Sequence, residues 1–128
     1  MAHHHPLRVY YEDTDLGGFV YYANYLKFIE RGRSEWVRGC GVDQTALKAT
    51  RGILIVVRHL EAEYLAPALF DDALVVTTEL IEIAGSRIVM AQSVLRGAVV
   101  LFAAKVTLVC VAEGRAVRVP ADVAALLG

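Results

Sequence analysis

The stretch that decides the fold is Arg8-Val9-Tyr10-Tyr11-Glu12-Asp13-Thr14-Asp15-Leu16-Gly17-Gly18-Phe19-Val20-Tyr21-Tyr22-Ala23-Asn24-Tyr25, and the helical pattern that follows it. Residues 7–13 alternate, with Leu7, Val9 and Tyr11 on one face and Arg8, Tyr10 and Glu12 on the other, the mark of a strand. Three carboxylates, Glu12, Asp13 and Asp15, crowd its end. Gly17-Gly18 then lets the backbone turn and lets a ligand come close. From Ala23 to Arg38 the period becomes helical. Tyr22, Tyr25, Leu26, Ile29, Trp36 and Val37 form the apolar stripe, opposite Lys27, Glu30, Arg31, Ser34, Glu35 and Arg38. This order sets acids beside the unpaired N–H groups of a helix start, where negative charge is stabilised.

Within the helix, Arg31 and Glu35 are spaced as an ion pair. Gly32 costs about 1 kcal/mol relative to Ala, so close contact with a strand backbone is its expected compensation. Gly39 and Gly41 supply the stop. A short polar segment, 42–51, has room for a helical turn. The rest alternates: strands are expected at 53–64, bent near Arg58-His59, and at 73–83, 87–96, 99–112 and 116–119. Pro67 bars helix from the 67–72 connection. Glycine-bearing turns at 84–86, 97–98 and 113–115 predict antiparallel hairpins. Pro120 opens a terminal helical turn. One long helix and about five long strands make an α+β layer arrangement.

Composition bounds the function. A chain of 128 residues predicts one domain over 1–128, with residues 1–6, including His3-His4-His5, expected to be a tail or tag outside it. Net charge is −1, with 13 basic and 14 acidic residues intermixed, which argues against nucleic acid as a partner. No apolar run reaches the ~18 residues of a membrane span, and no export leader is evident, so a cytoplasmic location is expected. Hydrophobic residues reach 56% and mean hydropathy is +0.46, a surplus that predicts a subunit interface besides buried sheet faces. Strands such as Val99-Val100-Leu101-Phe102 are apolar on both faces, which points the same way. Cys40 and Cys110, at no metal-like spacing, read as buried free thiols.

Asp15 leads the candidates for chemistry. It reads as a general base or nucleophile at a turn that ends on helix amides; Asp-Xaa-Gly segments are also ordinary turns. His59, Glu61 and Glu63 share a strand face, a conceivable metal row, yet so few histidines argue for no metal. Ser34 and Ser86 have no histidine at readable spacing, which disfavours a serine triad.

The runs Arg8–Asp15, Gly17-Gly18, Val20-Tyr21 and Ala23–Leu26 resemble the signature of hotdog-fold acyl-CoA thioesterases, in particular the 4-hydroxybenzoyl-CoA thioesterase group and its Tol-Pal-associated bacterial branch. The likeness continues through Val57–Leu60, Tyr64–Ala68, Phe70–Asp72 and Val109–Val111. It implies a hotdog fold, a mainly antiparallel sheet wrapped around the 23–38 helix. Asp15 would be the catalytic carboxylate, and Tyr11 would orient it or the water. The amides of Val20, Tyr21 and Tyr22 would form the oxyanion hole. Gly17, Gly18 and Phe19 would line the acyl site. By their charge alone Arg58, Arg87 and Lys105 are candidates to meet the phosphates of coenzyme A, though each also reads as an ordinary strand-surface charge; coenzyme A is substrate and not cofactor, and no other cofactor is implied. The partners implied are acyl-CoA (or an acyl carrier protein), a homodimer as active unit, and a homotetramer built from it. Many relatives carry histidine seven residues after the acid, where this chain has Tyr22. A phenol with pKa about 10 is no base at neutral pH, so proton handling falls on Asp15, and Tyr22 is left to donate a hydrogen bond or shape the pocket. Two alternatives stand beside this reading: a non-catalytic acyl-binding scaffold, which Tyr22 keeps open, and an acyl hydratase or dehydratase, against which the absence of a motif histidine counts.

Overall fold

The computed structural model describes residues 2–128. Helix α1 (Asn24–Gly39) lies across a curled antiparallel sheet, with α2 (Gln44–Arg51) and α3 (Ala121–Leu127) at its margins. The strands are β1 (His3–Arg8), β2 (Ile53–Tyr64), β3 (Ala73–Ala84), β4 (Arg87–Arg96), β5 (Val99–Ala112) and the two-residue β6 (Arg115–Ala116). Their order is β1-β3-β4-β5-β2, with β6 added against β5. This α+β arrangement is the expected hotdog: a long helix held in a curved sheet. Register shifts at Val57/His59 in β2 and Leu80/Glu82 in β3 supply curvature, because an extra residue bends its strand. The bend expected near Arg58 is the first of these.

The helix sits where its apolar spacing directs it. Tyr25, Phe28, Ile29, Gly32, Trp36 and Val37 are buried against alternating inward residues of the sheet such as Leu74, Val76, Met90 and Val94. Leu26, placed on the stripe by its sequence position, is exposed, and Phe28 takes the buried place. Phe28 alone contributes about 1.5–3 kcal/mol by leaving water. At Gly32 a Cβ would stand 2.5 Å from Val76 Cγ1, so the expected contact with a strand backbone is corrected: the close approach is to a β3 side chain. The helix ends in a Schellman pair, Gly41 N–H to Arg38 O and Val42 N–H to Val37 O, with Gly41 at φ +93°. Glu35 pairs with Arg38 and not with Arg31.

Several expectations are corrected. His3-His4-His5 are not a tail; they pair with Thr78, Thr77 and Val76 as β1. The strand expected over 7–13 stops at Arg8, because Asp13 Oδ2 accepts the Tyr10 amide and folds Tyr11–Asp13 into a 3-10 turn. The polar segment after α1 carries a full two-turn helix, capped by Asp43 accepting from the Ala46 amide. The last strand shortens to Arg115–Ala116, since Val119 N–H turns to Gly85 O. Cys110 is buried and Cys40 half-buried; burial pushes both thiols up. Of the 99–102 run, Leu101 and Phe102 are buried and Val99 and Val100 exposed. No helix is long and apolar enough to cross a membrane.

Candidate active site

The two glycines and their flanks fold into a small hairpin ahead of α1. Thr14 bridges Val20, Asp15 N–H donates to Phe19 O, and Gly18 N–H returns to Asp15 O, with Gly18 at φ +83°. The left-handed conformation is why glycine stands there. At the tip, Asp15 Oδ1 accepts from the amides of Gly17 (2.9 Å) and Phe19 (3.3 Å). This is an Asx turn, as the plain turn reading of Asp-Xaa-Gly anticipates. Among the described residues no donor reaches Oδ2, so one oxygen is anchored and the other is free. The carboxylate opens onto a groove of about 600 Å³ lined by Tyr11, Thr14, Leu16, Gly18 and Phe70. Tyr11 and Phe70 meet edge to face at 6.4 Å on its wall.

The other two acids do different work. Asp13 is buried, with Oδ2 on the Tyr10 amide and its carbonyl accepting from Tyr21 N–H and Asn24 Nδ2. It ties the hairpin to the first residue of α1. Glu12 is exposed.

Five backbone amides near the helix start divide into two groups. Those of Phe19, Val20 and Tyr21 are taken, by Asp15 Oδ1, Ala68 O and Asp13 O. The expectation that Val20 and Tyr21 would offer free amides is therefore corrected: the hairpin consumes them. Among the described residues the amides of Tyr22 and Ala23 find no acceptor. The sequence allows this for Ala23, because the residue three positions on, Leu26, has no side-chain acceptor to reach back to the N-cap amide. Free amides at a helix start suit a substrate oxygen that gains negative charge.

Tyr22 is 62% exposed and packs on Tyr21 (4.9 Å) and edge to face on Tyr64 (6.2 Å). Its carbonyl accepts the Tyr64 hydroxyl at 2.8 Å. Tyr64 continues into Tyr25 and Phe102, an aromatic stack that carries the helix start on the core. Burial, followed by Tyr22 and Tyr25, pushes the Tyr64 phenol up, which keeps it a donor at neutral pH. Burial likewise raises Tyr25, whose hydroxyl accepts the Ala68 amide at 2.9 Å.

Phe19 bridges Leu69, so the 67–72 connection backs the hairpin. That connection is pinned by Arg96, which donates to Pro67 O and pairs with Asp72 at 2.8 Å, and by Arg8 on Asp71. Sequence reading did not single out Asn24, Tyr25, Arg96 or Asp72. Tyr64 and Asp72 stood in the quoted resemblance without a role, while Arg96 carried no signal beyond a strand end.

The two arginines expected at coenzyme A lie elsewhere in the chain. Arg58 occupies the β2 bulge, exposed and mid-strand. Arg87 opens β4 opposite Ala84, whereas the hairpin lies toward the Arg96 end, about 30 Å away at strand rise. Within one chain neither joins the Asp15 groove. His59 meets Glu61 at 3.3 Å on the same exposed strand.

Comparison with known proteins places this geometry. A family model described as the thioesterase-like superfamily matches residues 9–127. The chain is 42% identical over 110 residues to a Haemophilus influenzae protein named acyl-CoA thioesterase YbgC, covering 86% of this chain and 81% of that one. It is 45% identical over 107 residues to the Escherichia coli O6:H1 protein named acyl-CoA thioester hydrolase YbgC, covering 83% and 79%. A crystal structure titled a probable thioesterase from Bartonella henselae superposes with TM-score 0.89 at 39% identity, over 94% of this chain and all of the other.

Proposed function

This chain belongs to the thioesterase-like superfamily, and from that premise we propose that it hydrolyses acyl-CoA thioesters with Asp15 as the working carboxylate. The observation that carries the reading is the Asx turn: two amides fix one carboxylate oxygen and leave the other without a protein donor, in a residue that lines an apolar groove. The fixed oxygen sets direction, and the free one takes the proton of a water. Hydroxide adds to the thioester carbonyl, and the oxyanion is met by the Tyr22 amide, with Ala23 beside it. Collapse of the tetrahedral adduct breaks the C–S bond, and the proton held on Asp15 passes to the departing thiolate. Attack by Asp15 itself, giving an anhydride that water then opens, uses the same atoms in the same places. Tyr22 offers its backbone N–H, and its ring borders the acyl path. Tyr11, Phe19 and Phe70 give that path an aromatic rim, which favours aryl or short acyl groups.

The active unit is a homodimer. β2 has β5 on one side, and its other edge is open over twelve residues with Leu54, Val56 and Val57 exposed. An open apolar edge of that length calls for a second strand. Pairing of β2 with its own copy would satisfy that edge by two-fold symmetry.

Thiol release from a series of aliphatic and aryl acyl-CoA thioesters tests the reaction. Turnover by the native chain and its loss in Asp15→Asn are expected. Full turnover in a folded Asp15→Asn variant would overturn the assignment.

A further inference from the structure

Arg33 lies on α1 in a small groove that Ile55 and Val57 of β2 also line. Its Nη1 donates to Gln92 Oε1 at 3.0 Å, and among the described residues no carboxylate pairs with it. Burial pushes its guanidinium below the usual arginine range, with the charge of Glu30 opposing. Glu30 accepts from Ser34 Oγ at 2.6 Å and has no cation within ion-pair distance among the described residues. Both line a groove of about 170 Å³ walled by Ser34 and Val37 of the helix and Ile55 and Val57 of β2. A half-buried cation with donors to spare and an unpaired carboxylate thus share one small cleft.

Their positions are symmetric. The midpoint of α1 falls between Arg31 and Gly32, with Glu30 and Arg33 equally spaced on either side. The midpoint of β2 falls between Arg58 and His59, beside the Val57 that walls the same cleft. If two copies pair β2 about its own midpoint, the two-fold axis passes beside Val57 and so beside the cleft that Val57 shares with Glu30 and Arg33. Two-fold contacts are reciprocal: if residue i of one copy meets residue j of the other, j meets i. We propose that a second copy of this chain closes the cleft, setting Glu30 of each copy against Arg33 of the other in two equivalent ion pairs across the axis. The occupant is fixed by charge complementarity and by the strand edge, both self-matching. Gln92 holds each Arg33 in place beforehand, so little side-chain freedom remains to be lost on association. This inference rests on the β2-paired dimer proposed above but not on Asp15.

Charge exchange between chains tests it. A Glu30→Arg homodimer would set arginine against arginine twice, and an Arg33→Glu homodimer would set glutamate against glutamate twice. Each homodimer should weaken at least about a hundredfold in sedimentation, the scale of losing a desolvated charge pair. Mixing the two variants should restore a heterodimer near native affinity, because both contacts become attractive again. The same exchange on the outer face of α1, Glu35→Arg mixed with Arg31→Glu, should leave dimerisation as it was. If Arg33→Glu fails to fold, the exposed Glu30 carries the test: Glu30→Arg should dimerise weakly with itself, better with native chain, and best be matched by native with native. Homodimers of Glu30→Arg as tight as native, or no heterodimer preference over the outer-face control, would overturn the pair. A native chain that stays monomeric would overturn the pair and the dimer, while thiol release judges Asp15 separately.

Discussion

The Asp15 hairpin and the layer beneath the middle of α1 treat polar atoms in opposite ways. Under the helix, Gln92 is 1% exposed and complete: Oε1 accepts from Arg33, and Nε2 donates to Ile29 O and Thr78 Oγ1, both at 2.9 Å. At the hairpin a carboxylate oxygen and two amides stand without partners, and Tyr11, Leu16, Tyr22 and Phe70 are exposed around them. A buried polar group left unmet costs about 1–3 kcal/mol, so a protein completes such groups wherever stability is the only demand. The hairpin groups escape that cost because they are open to water, which a substrate can displace. The contrast predicts that the two regions come apart under substitution, one through turnover and the other through stability.

The largest effect belongs to the hairpin. Asp15→Asn keeps an acceptor for the Gly17 and Phe19 amides while removing the base, so it should cut kcat by about 10²–10⁴. Its urea-unfolding free energy should stay within about 0.5 kcal/mol of native. The mirror experiment is Gln92→Leu, which leaves Arg33 and Thr78 short of a partner in the core. It should cost about 2–3 kcal/mol in denaturant unfolding, with kcat per folded molecule close to native. A Gln92→Leu protein as stable as native, or an Asp15→Asn protein that melts early, would erase the distinction.

Gly32 sharpens the same comparison at smaller size. A methyl there meets a stiff β-branched Val76 at its Cβ as well as Cγ1, so overpacking at about 1–3 kcal/mol outweighs the roughly 1 kcal/mol of helix propensity gained. Gly32→Ala should therefore lose about 1 kcal/mol. Adding Val76→Ala to it should cost less than Val76→Ala costs alone, since the new methyl fills part of the space vacated. Additive losses in that double-mutant cycle would show that the two sites do not touch.

How much of this could be read from the residues alone follows from where the information lies. The helix, the long strands, the bulge near Arg58 and the need for a close approach at Gly32 all follow from periodicity and local propensity, which a linear reading samples directly; that Gly32 meets the Val76 side chain and not a backbone does not. The two ends of the strand before the hairpin did not. His3-His4-His5 look like a tail until β3 is there to pair with them. The 7–13 alternation is overruled by a single bond from Asp13 to the Tyr10 amide. Asp15 was legible as a candidate because Asp-Leu-Gly-Gly specifies a turn; that its two oxygens differ was not, because it depends on which amides the turn aims. The supply of free amides was misjudged for a similar reason. Val20 donates to Ala68, forty-eight residues away, and no spacing rule reports such a partner. Arg58 and Arg87 were chosen by charge alone, and strand order, which a single hairpin signal does not determine, put them away from the groove.

Asp72 stands where the two regions join, and its acid response is the smallest effect expected. Its carboxylate accepts the Leu69 amide at 2.9 Å and pairs with Arg96, while Leu69 bridges Phe19 of the hairpin. Burial pushes the Asp72 carboxyl up, but the Leu69 amide and the Arg96 guanidinium outweigh it and hold it below the ordinary carboxylate range. A folded pKa below the unfolded value of about 3.9 gives stability that is complete above that value, because both states are then ionised. As pH falls further the unfolded chain takes the proton first, and the contribution drains away through the folded pKa. With the pair partly in water, the stake is about 1 kcal/mol or less. Native protein should then exceed Asp72→Asn in urea stability by a constant margin from pH 7 down to about 5, and the margin should shrink below that. A margin independent of pH would mean that Asp72 braces the hairpin as a neutral hydrogen-bond acceptor would, and that the boundary between the open and closed regions carries no charge-dependent strength.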